Sequence, residues 1–156
     1  MEQIQPTPYD YNEMLDIVEC LMREHGTVEI EPISVFTPGL YTRSIIVPPD
    51  TYLLSYTHNT DHQFIMSEGE IVIYTEDAGM VLMGGPYLGK TLKGTRRFAK
   101  TLSKVVWTSI HATDIQPKNG SKIAMRDAVK CVEAELFLKR ENIFLIKARE
   151  ELKWPA

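Results

Sequence analysis

Two histidines four residues apart, His58 and His62, flank the turn-forming stretch Asn59-Thr60-Asp61, and a third, His111, lies near the end of the run KVVWTSIHAT. Three imidazoles gathered at one place make a nitrogen site for a divalent transition metal, with positions left for water or a ligand. The spacing of the first two fits a strand end, a tight turn and the start of the next strand, so that both rings turn inward at one mouth of a barrel. Histidines that only make hydrogen bonds at a hairpin rim are the competing reading. Folding RFAKTL and KVVWTSIHAT about Ser103-Lys104 as a hairpin predicts Arg97 nearly opposite His111. His25 stands apart at a helix end, where carbonyl oxygens occupy it. All-nitrogen ligation suits zinc, iron, nickel, copper or manganese. Zinc would serve hydrolysis or isomerisation, and ferrous iron would open dioxygen chemistry.

The segment from Lys90 to Lys104 carries six cations and no acid. Lysines that protect an exposed strand from edge pairing explain most of it. Arg97, however, shares the predicted face of His111, and Arg43 alternates inward with Tyr41 and Ile45. A guanidinium inside a barrel needs an anion, either an internal carboxylate (Asp61, Glu68 or Glu70) or the phosphate or carboxylate of a ligand. Tyr41 and Tyr56 offer ring surface beside such a ligand, with barrel core as the alternative role.

Composition removes other chemistries. Two cysteines, Cys20 and Cys131, exclude a cysteine-based zinc module or a disulfide framework, and both are expected as buried free thiols. Seventeen basic against 21 acidic residues, a net charge of -4, argues against a binder of duplex nucleic acid. The glycines lack the context of a phosphate loop, and no nucleophile elbow is present. The N-terminus shows no basic and apolar leader and no run is long enough to span a bilayer, so a cytoplasmic protein without a membrane partner is expected.

The elements that must position these residues divide the chain into three. Residues 1–32 form a helical segment: apolar residues recur at helical spacing from about Tyr11 to His25, Asp10 and Glu13 make a capping box, and Gly26 is a stop. Eight of the nine charged residues from Glu2 to Glu31 are acidic, which reads as a solvated helix face. Residues 33–113 alternate short β-branched and aromatic runs with turn signals. They predict about eight strands, near 40–47, 51–58, 62–66, 70–75, 80–83, 87–92, 97–102 and 105–112, in an antiparallel barrel or sandwich. Residues 114–156 return to helix, with Met125, Val129, Val132 and Leu136 on one face and IFLIKAREELKW continuing it or starting another. Both helices carry an apolar stripe and are expected to pack on the barrel or on a second subunit, which suggests a homodimer.

The stretch from His58 to Glu68-Gly69-Glu70, followed by Leu92-Lys93-Gly94-Thr95-Arg96-Arg97, resembles the two metal-binding motifs of the cupins, small antiparallel β-barrels of the double-stranded β-helix or jelly-roll type. Aligned on Gly69, His58 takes the place of the family's second histidine, His62 that of its glutamate and Tyr56 that of its first histidine, while Arg97 replaces the last. The chain is more similar to short cupin-like proteins of bacteriophages and prophages, through Tyr41-Thr42-Arg43, Pro48-Pro49-Asp50-Thr51, the His58–His62 pair, Gly94-Thr95-Arg96-Arg97 and Trp107-Thr108-Ser109-Ile110-His111. The resemblance covers residues 40–113. It implies a mainly β, cupin-like barrel with a helix at either end and a three-histidine site at His58, His62 and His111. The cavity would bind, and as an enzyme hydrolyse or isomerise, a small anionic metabolite such as a nucleotide or sugar derivative, held by Arg43 and Arg97. The alternative is a non-catalytic phage accessory protein that sequesters a small molecule or binds a host protein, acting in the host cytoplasm.

Overall fold

The Asp10 carboxylate accepts from the Glu13 backbone N–H at 2.8 Å, opening helix α1 (Tyr11–His25), and Gly26 closes it at φ 86°. These come from a computed structural model, which describes residues 10–137 and 144–147. Readings made on residues 1–9, 138–143 and 148–156 lie outside the described residues. The apolar face of α1 (Leu15, Val18, Met22) packs on Tyr52, Leu54 and Phe98, and each such buried side chain contributes about 1.5–3 kcal/mol. Its acidic face is not wholly solvated, as the charge run implied. Asp16 and Glu19 pair with the buried Arg96 guanidinium at 3.0 and 3.2 Å.

Strands β1 (Ile33–Thr37), β2 (Leu40–Val47), β3 (Thr51–Leu54), β4 (His62–Glu68), β5 (Glu70–Thr75), β6 (Gly79–Gly84), β7 (Tyr87–Thr91), β8 (Phe98–Thr101) and β9 (Val105–Ala112) precede helix α2 (Lys122–Leu136) and strand β10 (Phe144–Lys147). They form two five-stranded sheets, ordered β1-β2-β9-β4-β7 and β10-β3-β8-β5-β6. The pairings are nested: β5 with β6, β4 with β7, β3 with β8 and β2 with β9, all antiparallel. A long hairpin with β5–β6 at its tip therefore winds back and forth between the sheets. This is a double-stranded β-helix. The expected mainly β architecture, a double-stranded β-helix with one helix before and one after its strands β1–β9, is observed. Alternate residues point inward, and Ile45, Val47, Met66, Ile71, Ile73, Ala99 and Val105 fill the space between the sheets.

Three further expectations are corrected. The segments 97–102 and 105–112 do not pair as a hairpin, because β8 and β9 lie in opposite sheets and the turn between them is a crossing. Beyond α2 the chain forms β10, a strand paired with β3, where helix was expected. Cys20 and Cys131 are exposed, not buried. Each sits on a helix whose inward positions are taken by Val18 and Met22 or by Ala128 and Val132. No helix among the described residues is long and apolar enough to cross a membrane.

Candidate metal centre

Sheet register brings the histidines together. In β4 and β9, Gln63 lies opposite Ile110 and Phe64 opposite Ser109, so one step further His62 faces His111. On its other side His111 pairs with Tyr41 of β2, and His62 pairs with Thr91 of β7. One cross-strand row at one end of the barrel thus reads Tyr41, His111, His62, Thr91. Alternation on each strand turns all four inward, and all are buried.

His58 comes from the loop after β3. Its N–H donates to the Thr95 carbonyl at 3.0 Å and its carbonyl accepts from the Gly94 N–H at 2.7 Å. Helix α2 holds it from the other side through a β-bridge between His58 and Phe137. The ring centroids of His58 and His62 are 4.7 Å apart and those of His62 and His111 4.2 Å apart. The trio expected from the sequence is therefore one cluster. His25 lies outside it, with Nδ1 2.8 Å from the Leu21 carbonyl oxygen.

Burial, with the neighbouring charges of His62, Arg97, His111 and Arg43, pushes the His58 pKa down to about 3. Burial, then His62 and Arg43, pushes His111 down to about 3. His62 is also lowered, chiefly by burial, against the opposing hydrogen bond to the Thr60 carbonyl. All three rings are thus neutral at pH 7 and carry a free lone pair each. His62 Nδ1, 3.1 Å from the Thr60 carbonyl oxygen, is assigned as the donor, which leaves Nε2 as the acceptor. The Nδ1 atoms of His58 and His111 are buried with no hydrogen-bond partner. Neutral imidazoles with orphaned nitrogens are the donor chemistry a divalent metal takes, so the residues fit the group. As the side chains stand, no group of three or more His, Cys, Asp or Glu among the described residues is arranged to hold an ion.

Arg97 lies beside this cluster although its expected partner strand does not pair with β8. Its Nη1 donates to Thr91 Oγ1 at 2.9 Å, and its guanidinium carbon lies 5.3 Å from the Phe64 ring centre and 5.8 Å from that of Trp107. Those two rings stack at 4.2 Å. Gly89, opposite Phe64 in the register, makes the stack possible, because a Cβ there would run into the Phe64 ring. Among the described residues no carboxylate pairs with Arg97: Glu68 pairs with Lys104, and Asp61 accepts from the Lys93 N–H. Burial lowers the Arg97 pKa, the mark of a desolvated charge.

Arg43 does face inward, but none of the expected acids is its partner. Glu133 of α2 is, at 3.4 Å from Arg43 Nε, without a well-aligned hydrogen bond. Glu133 also accepts from the Tyr41 hydroxyl at 3.4 Å, and that hydroxyl lies 3.0 Å from Ser34 Oγ. Tyr56 stacks on Phe137 at 4.0 Å with Arg43 over its ring at 5.7 Å. Glu133 and Thr91 carried no local signal in the sequence, since one is an ordinary helix-surface glutamate by spacing and the other a strand threonine.

No protein-family model matches the chain, and no curated protein matches it. Similar solved structures include a cupin-2 domain containing protein from Shewanella frigidimarina, 13% identical, over 68% of this chain and 95% of that one, with a TM-score of 0.45. A conserved protein with a double-stranded β-helix domain from Klebsiella pneumoniae is 13% identical over 58% of this chain and 85% of its own, with a TM-score of 0.47. An RmlC-like cupin family protein from Methanocaldococcus jannaschii is 14% identical over 57% of this chain and 94% of its own, with a TM-score of 0.43.

Proposed function

We propose that the chain binds a divalent transition metal through His58, His62 and His111 and, next to it, a small anionic molecule such as a nucleotide or sugar derivative. The observation that carries this reading is the proximity of three neutral imidazoles, two with orphaned Nδ1 atoms, to the half-buried guanidinium of Arg97, with which no carboxylate among the described residues pairs. Zinc, iron, nickel and manganese all suit the donors, and the bound ion would supply Lewis acidity toward water or the ligand. Arg97 supplies the fork for phosphate or carboxylate, fixed in direction by Thr91 and held flat by the Phe64–Trp107 stack. Arg43 is paired with Glu133, so its part is to line the wall beside the histidines with Tyr41 and Tyr56 and to receive a ligand only as Glu133 yields.

With turnover, the reaction class is hydrolysis or isomerisation. Retention without turnover, the accessory-protein reading that follows from the bacteriophage resemblance, is favoured by one observation: Glu133, the carboxylate beside this wall, is engaged by Arg43 and Tyr41 and is no free base. Either reading suits a cytoplasm, the host's for a phage-encoded chain. Elemental analysis of the purified protein beside a His58→Ala, His111→Ala variant tests the metal: near-stoichiometric metal in the parent and loss in the variant is expected, and negligible metal in both overturns the site. Mass spectrometry of heat-released small molecules, before and after incubation with metal, separates the readings, because unaltered ligand under every metal condition excludes turnover.

A further inference from the structure

The two sheets differ in what covers them. The outer face of the β10-β3-β8-β5-β6 sheet carries α1, packed on Tyr52, Leu54 and Phe98. On the outer face of the β1-β2-β9-β4-β7 sheet no helix among the described residues packs in the same way, although the face is apolar. Its cross-strand rows run Ile46–Val106–Glu68, then Ile33–Ser44–Thr108–Ile65–Leu88, then Val35–Thr42–Ile110–Gln63–Lys90, then Thr37–Leu40–Ala112. Ile33, Val35, Ile46 and Leu88 are 54%, 49%, 47% and 66% exposed. Exposed apolar side chains grouped on one flat face mark an association surface.

We infer that this face is the interface of a homodimer, two copies packing sheet on sheet. Three observations favour a second copy of the chain over another occupant. The first is charge. In these rows the ionised residues are Glu68, already paired with Lys104 of its own chain, and Lys90, two rows away and of opposite sign, so a chain of net charge -4 meets its copy here without repulsion. The second is self-complementarity. The row through the Ser44–Thr108 hydroxyl pair, 2.6 Å apart, is neutral, and a two-fold axis along it turns the Glu68 end of one copy toward the Lys90 end of the other. The third is size. Sixteen row positions, each ~4.8 Å by ~6.7 Å, span about 515 Å² per copy, and the resulting ~1,030 Å² in total clears the ~1,000 Å² expected of a biological interface. Of the two places expected for the helices, the barrel and a second subunit, the described residues show the barrel: α1 covers a sheet face and α2 the barrel mouth, which leaves this sheet face for the second copy.

Sedimentation equilibrium of the whole chain, with Thr108→Arg and Val35→Asp as interface variants and Leu82→Lys on the exposed outer edge of the other sheet as control, tests this. A dimer at micromolar concentration is expected, weakened at least tenfold by either interface variant and unchanged by the control, with near-UV circular dichroism retained. A parent that is monomeric at 100 μM overturns the inference and leaves the face to a different partner or to the chain's own terminal segments. A dimer that persists in both folded interface variants, or that only Leu82→Lys dissociates, also overturns it.

Discussion

The backbone N–H of Asn59 donates to the carbonyl of Leu136 at 2.7 Å, and the Asn59 side-chain amide donates to that of Glu135 at 3.0 Å. Two carbonyls left unpaired at the end of α2 are thereby satisfied by the residue that follows His58. The helix end and the histidine loop position each other, and Phe137, stacked on Tyr56 and bridged to His58, clamps the joint. Phe137→Ala should cost about 3 kcal/mol, the low end for a buried phenylalanine because it lies at a helix end. Urea unfolding measures that loss. Metal content should fall further in Phe137→Ala than in Val105→Ala, a core change remote from the histidines.

Acidification should destabilise the protein before any carboxylate titrates. His58 and His111 have folded-state pKa values near 3, well below the ordinary 6.5, so the unfolded chain takes up protons first. Their contribution is complete above pH 6.5 and is lost as pH falls from there toward 3, with a slope of up to ~1.4 kcal/mol per pH unit for each histidine. Denaturation midpoints of the metal-free protein at pH 7, 6 and 5 should fall in sequence. In His111→Gln the fall should be shallower, and an identical slope would contradict the burial of a neutral ring.

Arg97 sets stability against binding. Its half-buried charge has no carboxylate partner among the described residues, so Arg97→Met should leave the melting temperature unchanged or raise it while removing the stabilisation given by an added anion. Thermal unfolding with and without millimolar phosphate measures both effects. A phosphate shift that survives in Arg97→Met would refute the anion role.

Gly89→Ala should move the Phe64 ring, and with it the platform under Arg97. Overpacking of this kind costs about 1–3 kcal/mol. Chemical denaturation should show that loss together with a change in Trp107 fluorescence, and an unaltered spectrum would mean that the ring does not yield.

Strand positions from 40 to 112 were legible because period-two alternation and turn residues are local. β2, β5 and β9 match the expected bounds. Strand pairing was not legible in the same way. The two residues Ser103-Lys104 look like a hairpin turn, yet Ala99, Thr101, Val105 and Trp107 all face the interior from opposite sheets, and nothing local distinguishes a turn from a crossing. β1 stayed hidden as a five-residue edge strand outside the recognisable motifs, and β10 because IFLIK is apolar enough to read as helix. His58, His62 and His111 were found because histidines are few. Glu133 was missed because its partners Arg43 and Tyr41 are about 90 residues away, on a strand that only tertiary packing brings near.

The nested pairing also fixes an order of assembly. β5 and β6 close across residues 76–78 alone, whereas β2 meets β9 only after the whole of residues 48–104 has been drawn in, and loop closure makes the short contact the earlier one.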